Sequence, residues 1–248
     1  MTRAWNLTPN EWSKVLQSDD EVDRIAGGLR DGHGLPWAST LSRLTEDSKD
    51  TLDLGCGKGE LSAMLALEGK KTTLLDWSEK NIDFTKRLYQ SLRLNGEFCQ
   101  ADMTNPLPFK DASFDTVFSC GVFEYFSDEQ IKNILRETFR VSRKRVIVMV
   151  PNAYSISYRI GKWYMEKTKQ WHWGGERPFG TLKPYFQAAN AGKFIEYSVG
   201  ARHSLDFLTM MLGGKWTKLL VKLFQLKHHP RPAWFNQGYL LIAAGDKA

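Results

Sequence analysis

The sequence predicts an α/β fold with a doubly wound, mostly parallel sheet, and three observations carry that expectation. Between Thr51 and Val150, short β-rich runs alternate with helical patterns, the order that places helices on both faces of a parallel sheet. The first run, Thr51–Leu54, opens directly into Gly55-Cys56-Gly57-Lys58-Gly59-Glu60, a glycine turn leading from a strand's carboxyl end into a helix. The next two runs each stop at an acid, Asp76 and then Asp102.

The elements follow in order. Thr8-Pro9-Asn10-Glu11 is a capping box with proline at the first helical position, and a second helix covers Asp20 to Leu29 before the break Asp31-Gly32-His33-Gly34. Strand Thr51–Leu54 leads to helix Glu60–Leu67, closed by Gly69. Strand Lys71–Leu75 ends at Asp76, and Ser78 caps a helix with Ile82, Thr85, Leu88, Tyr89 and Leu92 on one side. Asn95-Gly96 turns the chain into strand Glu97–Gln100, and a loop with two prolines precedes strand Thr116–Ser119. Ser127 and Gln130 form a capping box for a helix whose apolar face is Ile131, Ile134, Leu135, Thr138 and Phe139. Arg140, Arg143, Lys144 and Arg145 gather at its carboxyl end, where the helix dipole favours cations, and strand Arg145–Val150 stops at Pro151. An aromatic-rich insertion, Tyr154 to Tyr185, precedes strands Phe194–Val199 and Tyr239–Ala244, with a helix over Lys215–Lys227 between them. The expected organisation is one domain over 1–248: a helical N-terminal cap at 1–50, a cofactor-binding core at 51–150, and a substrate-side insertion with C-terminal strands at 151–248.

The glycine loop narrows the ligand. A dinucleotide site uses G-x-G-x-x-G, with a third glycine near the pyrophosphate. Here Gly55 and Gly57 fill the first two places, and Glu60 fills the third. Its carboxylate, with Asp53 inside the strand, repels phosphate and tolerates a cation. S-adenosylmethionine, with a sulfonium and an ammonium and no phosphate, suits such a loop.

Composition excludes little but sets bounds. The net charge of +6 is compatible with nucleic acid, an anionic membrane or an acidic small substrate, and does not choose among them. Cys56, Cys99 and Cys120 read as reduced, small hydrophobes, not as a disulfide framework, and no metal-ligand spacing occurs. No apolar run approaches the ~20 residues that span a bilayer, and no signal core follows Met1, so a cytoplasmic protein is expected.

Four features in order, Asp53-Leu54-Gly55-Cys56-Gly57-Lys58-Gly59, Leu75-Asp76, Ala101-Asp102 and Ser119-Cys120-Gly121-Val122-Phe123-Glu124-Tyr125-Phe126, make Thr51–Pro151 resemble a class I S-adenosylmethionine-dependent methyltransferase. The resemblance implies a Rossmann-like, seven-stranded sheet with an antiparallel last strand, and S-adenosylmethionine as cofactor. It implies that Gly55 and Gly57 admit the cofactor to the backbone and that Asp53 holds its ammonium. Asp76, 76 − 59 = 17 residues after Gly59 and near the ~20 usual for such acids, would bind the ribose hydroxyls. Asp102 and Met103 would meet the adenine, Trp77 would either lie against the adenine face or anchor the core, and the chain at Cys120 would contact the methionine portion. Many relatives with G-V-x-E-H carry histidine where this chain has Tyr125, a phenol whose pKa near 10 makes it a weaker base.

A hydroxyl acceptor benefits from a base. The candidates outside the sheet are His33, His172, Glu176 and His203. His172, in Trp171-His172-Trp173-Gly174-Gly175-Glu176, belongs either to a pocket wall or to a surface loop. The expected partner is a small-molecule methyl acceptor of sugar, lipid-linked or natural-product type, without nucleic acid: no Asn/Asp-Pro-Pro-aromatic motif follows the fourth strand. The basic amphipathic stretch 215–227 leaves peripheral membrane contact, and with it a lipid acceptor, open. A non-catalytic protein retaining the fold is the remaining alternative.

Overall fold

The computed structural model describes residues 19–212, 231–232 and 237–248 of the chain. The expected capping box at Thr8 and the basic stretch 215–227 lie outside the described residues.

The sheet contains β1 (Asp50–Leu54), β2 (Lys71–Asp76), β3 (Glu97–Gln100), β4 (Phe114–Cys120), β5 (Ser142–Pro151), β6 (Ala191–Val199), a two-residue β7 (Arg231–Pro232) and β8 (Leu240–Lys247), in the order β3-β2-β1-β4-β5-β8-β6-β7. β1 to β5 pair in parallel, while β8 runs antiparallel between β5 and β6. The expected seven strands and antiparallel last strand are present, and β7 adds a short antiparallel pairing at the β6 edge. The helices are α1 (Asp19–Arg30), α2 (Ala38–Leu44), α3 (Glu60–Leu67), α4 (Glu79–Leu92), α5 (Asp128–Val141), α6 (Ile156–Lys167), α7 (Lys183–Ala188) and α8 (Ala201–Leu212).

Both sheet faces are covered, and the period-2 alternation of the central strands shows it. Val146, Val148 and Val150 of β5, with Leu241 and Ala243 of β8, enter the core beneath α5 and α7. Ile147 and Met149, with Leu240, Ile242 and Ala244, enter the core on the other side, where Leu41, Leu61 and Leu65 pack from α2 and α3. Local signals place the helices. Ser78 Oγ accepts from Asn81 N at the start of α4, and the Ser127–Gln130 box caps α5 in both directions. Phe84, which lies off the expected apolar stripe of α4, is also buried, because α1 covers that side.

One expectation is corrected. Arg143, Lys144 and Arg145 do not end α5; the helix stops at Val141 and these residues begin β5. Carboxylates at the amino ends of neighbouring parallel strands draw them there. Arg143 donates to Asp50 Oδ1 and Oδ2 at 2.5 and 2.7 Å and to Asp115 Oδ1 at 3.0 Å, joining β1, β4 and β5. Arg145 donates to Asp246 Oδ1 of β8 at 2.7 Å. The opposite, carboxyl ends of the strands are left for ligand. Among the described residues, no helix is long and apolar enough to cross a membrane.

Candidate active site

The carboxyl ends of β1, β2 and β4, together with the loop after β3, open onto a cavity of about 770 Å³, within the size range of small-molecule sites. Its first half is built by the glycine loop. Gly55 N and Cys56 N donate to Leu75 O at 2.8 and 3.0 Å, and Gly57 N donates to Asp76 Oδ2 at 3.0 Å, so β2 shapes the loop that β1 supplies. Gly55 has φ of +81°, and a Cβ there would meet Val122 Cγ2 at 2.8 Å and Met103 Cε at 2.9 Å. Gly59, at φ +70°, heads α3, and a Cβ on it would come within 2.7 Å of Thr85. It thus performs the close helix packing that the third glycine of a dinucleotide loop performs, leaving Glu60 on the wall.

Asp53, Asp76, Trp77, Asp102, Met103 and Cys120 all line this cavity, as the sequence led us to expect. Asp76 is 4% exposed, and its Oδ1 accepts from Ser78 N at 2.9 Å and Asn81 Nδ2 at 3.2 Å. Burial still raises its pKa, opposed by these hydrogen bonds. Asp102 Oδ1 accepts from Thr104 N and Oγ1 at 3.0 and 2.8 Å, which orients the turn that carries Met103. Trp77 lines the cavity and packs partly against the core. The Cys120 thiol is pushed up by burial and then by the Glu124 and Asp53 carboxylates, so it lines the site as a neutral thiol. The three cysteines are free, and no group of metal-ligating side chains occurs among the described residues.

Asp53 is buried beside the glycine loop. It is 4% exposed, with Ser62 Oγ donating to its Oδ2 at 2.7 Å. Burial pushes its pKa up to about 7; the Ser62 hydrogen bond opposes this and the Asp76 charge adds to it. A carboxyl raised by desolvation stabilises the fold least when ionised, so this contribution is present below its unfolded value near 4 and is lost as the pH rises through about 7. A bound cation reverses the preference by favouring the carboxylate. Affinity for S-adenosylmethionine is therefore expected to fall below pH 7, by up to about tenfold per pH unit, and Asp53→Asn to flatten that dependence. Calorimetry across pH 5.5 to 8.5 checks this, and a flat wild-type profile would remove Asp53 from the cation's site.

The second half of the cavity is aromatic. Gly121, at φ +73°, turns the chain after β4 into a short 3₁₀ turn, Phe123–Tyr125, which carries Glu124 and Tyr125 to the wall. The insertion returns alongside: Arg177 N donates to Glu124 O at 3.3 Å, and Phe179 N to Pro151 O at 2.8 Å. This brings Glu176 to the same wall, where it accepts from Tyr158 Oη and is also hydrogen-bonded by Tyr125. Burial raises the pKa of Tyr125, and the Glu124 and Glu176 charges raise it further, so Tyr125 acts as a donor to Glu176 and not as a base. Trp37, Trp171, Tyr239 and Phe207 complete the walls.

The histidines separate clearly. His172 is exposed and off the cavity, because Trp171 and Trp173 turn inward and leave it on the outer side of the loop; its expected catalytic place is not supported. His33 is likewise exposed and away from the cavity. His203, in the first turn of α8, lines it. Its Nδ1 lies 3.2 Å from Asp206 Oδ2, and its ring packs edge-on against Trp37 at 5.6 Å and Tyr239 at 5.4 Å. Sequence reasoning missed Ser62, Asp206 and the meeting of Glu124 with Glu176. An i, i+3 His–Asp pair at a helix start was the available signal for Asp206; the carboxylate pair had none, because the insertion makes it.

Residues 51–145 match the methyltransferase domain family. The chain carries a class I S-adenosylmethionine-dependent methyltransferase domain. This methyltransferase is 27% identical over 159 residues to the magnesium-protoporphyrin O-methyltransferase of Rhodobacter capsulatus, covering 63% of this chain and 69% of that one. It is 28% identical over 165 residues to the chloroplastic magnesium protoporphyrin IX methyltransferase of Arabidopsis thaliana, covering 64% of this chain and 53% of that protein, so it spans about half the plant enzyme's length. Its fold is similar to that of a solved Thermotoga maritima S-adenosylmethionine-dependent methyltransferase, described as a possible histamine N-methyltransferase, with a TM-score of 0.63 at 18% identity, covering 96% and 100% of the two chains.

The cofactor of the methyltransferase is S-adenosylmethionine, and the site fits it. Asp53, Glu60, Asp76 and Asp102 outnumber Arg24 and Lys58 at this end of the cavity, and both cations are paired with Glu21, so the end is acidic in a chain whose net charge is +6. A pyrophosphate would be repelled there, whereas a sulfonium and an ammonium are attracted. When bound, the cofactor supplies an electrophilic methyl group; the protein's part is to position the acceptor, exclude water and receive a proton.

Proposed function

We propose that this methyltransferase acts on an O, N or S atom of a small-molecule acceptor held in the aromatic half of the cavity. The carrying observation is continuity: one cavity runs from Asp76 and Asp102 past Cys120 and Gly121 to Trp37, Trp171 and Tyr239. Flat apolar walls favour a compact organic body with an unsaturated or apolar face. Magnesium protoporphyrin and histamine, named for the relatives, are acceptors of that general kind. Nucleic acid is disfavoured because the acidic lining would face its phosphates. Trp37 from before β1, with Trp171, His203 and Tyr239 from after β5, forms the acceptor side.

His203 is the base in this proposal. Asp206 beside Nδ1 favours the tautomer protonated there, which leaves Nε2 able to accept a proton from the acceptor. The test incubates the enzyme with S-adenosylmethionine and pooled small molecules, follows the demethylated cofactor, and identifies products by mass spectrometry. His203→Ala should lower kcat by roughly 10²–10⁴-fold with unchanged S-adenosylhomocysteine affinity. Methylation of RNA or lipid vesicles alone would overturn the small-molecule reading, and an unchanged kcat in His203→Ala would return that residue to a packing role.

A further inference from the structure

Glu124 and Glu176 meet on one wall, and the phenol hydrogen bonds that Glu176 accepts from Tyr158 and Tyr125 leave Glu124 without a matching partner. Glu124 is 2% exposed, and its Oε2 is buried with no hydrogen-bond partner among the described residues. Glu176 is 7% exposed and reaches the same wall from a different part of the chain. Leaving two carboxylates this dry without a cation is costly, and the cost falls only if a proton or a positive group joins them. The phenols and the thiol around them do not supply that charge. Tyr125, Tyr158 and Tyr239 are neutral phenols, each pushed up first by burial, and Cys120 is a neutral thiol. Lys162 is the nearby cation, but it is ion-paired with Glu166, and its Nζ sits 4.4 Å from the centre of the Trp171 ring. Arg177, next in sequence to Glu176, spends Nη2 on Asp128 at 2.7 Å and Phe126 O at 3.0 Å, and its buried Nε makes no hydrogen bond to either carboxylate.

Resting on the small-molecule reading above, we infer that the methyl acceptor is a cationic amine, whose ammonium group sits against Glu124 and Glu176 while its body lies among Trp37, Trp171 and Tyr239. Aromatic faces reinforce a cation held this way, as Lys162 over Trp171 already shows within the same wall. Burial pushes Glu176 up to about 7, with the Tyr158 hydrogen bond and Lys162 opposing, and it pushes Glu124 up further, helped by the Glu176 charge. The pair therefore keeps a proton when the site is empty of cations and releases it when an ammonium arrives. A nitrogen must present a lone pair to be methylated. One N–H bond of the ammonium breaks, its electron pair stays on nitrogen, and the proton passes to His203 Nε2; that pair would then form the N–C bond as the donor's S–C bond breaks with its electrons left on sulfur. The remaining N–H groups keep their hold on the carboxylates.

The experiment titrates the S-adenosylhomocysteine-bound enzyme calorimetrically with aryl and alkyl amines, each paired with the alcohol of the same skeleton. At pH 8, amines should bind at least about tenfold tighter than their alcohols, and less tightly as the pH falls below 7. Glu124→Gln and Glu176→Gln should abolish the amine preference while S-adenosylhomocysteine still binds, which shows the variants folded. Amines binding no tighter than alcohols would overturn the inference. So would variants that lose affinity for S-adenosylmethionine but not for its uncharged-sulfur product, since the pair would then serve the cofactor's sulfonium. If S-adenosylhomocysteine fails to bind the wild type, the cofactor assignment itself fails, a result separate from a failure of the amine series.

Discussion

Asp76→Ala should weaken S-adenosylmethionine binding by about 1.5–3 kcal/mol, the loss expected when a charged hydrogen-bond partner leaves a closed pocket. Two effects combine. The carboxylate offered to the ribose hydroxyls disappears, and so does the acceptor that holds Gly57 N at 3.0 Å and Ser78 N at 2.9 Å. The glycine loop then loses its tie to β2, and the start of α4 loses part of its cap. Calorimetric titration with S-adenosylhomocysteine measures the first effect and urea denaturation without ligand the second. Asp76→Asn divides them further, because the amide retains one oxygen for Ser78 N but turns a donor toward Gly57 N or the ribose. An affinity unchanged in Asp76→Ala would remove this residue from the ribose site.

Gly161→Ala is the second large effect, and it should appear on the acceptor side alone. Gly161 lies in the middle of α6, where alanine would ordinarily stabilise an exposed helix by about 1 kcal/mol. Packing decides otherwise. A Cβ at this position would stand 2.3 Å from Phe207 O and 2.6 Å from Phe207 Cβ in α8, and a backbone oxygen cannot rotate away. The two helices must separate, which costs about 1–3 kcal/mol of stability after such overpacking. Phe207 and His203 share α8 and line the cavity, so turnover should fall with stability. S-adenosylhomocysteine affinity should stay within twofold of wild type, since β1, β2 and α3 are untouched. A normal melting temperature with normal kcat would show that the helices accommodate the methyl group.

Much of the core was legible because its signals are local. Ser78, Ser127 with Gln130, and Gly69 mark helix ends through hydrogen bonds and backbone angles that act within a few residues. The strand ends at Asp53, Asp76 and Asp102 converge because parallel topology brings successive carboxyl ends to one rim. The acceptor side was less legible. His172 and Glu176 stand four residues apart beside the same glycines, yet only Glu176 faces inward. Which one does so is decided by the pairing of Phe179 with Pro151 and Asn152, a long-range event. Likewise, Arg143 reads as a helix-end cation in isolation and becomes a strand residue because Asp115 and Asp50 wait on the neighbouring strands β4 and β1.

That last arrangement separates two tasks in space. Arg143, Arg145 and their carboxylates fasten β1, β4, β5 and β8 at one end of the sheet, and the ligand-facing loops leave from the other end. Substitutions in the fastened end can change how firmly the protein holds together with little consequence for what it methylates. Conversely, the part of the segment between β5 and β6 that carries Trp171 and Trp173 can be rewritten with little threat to the sheet, whereas Phe179, Leu182 and Phe186 belong to its core. The protein is thus suited to acquiring new acceptors by exchange of one rim while the other keeps the strands of the sheet in register.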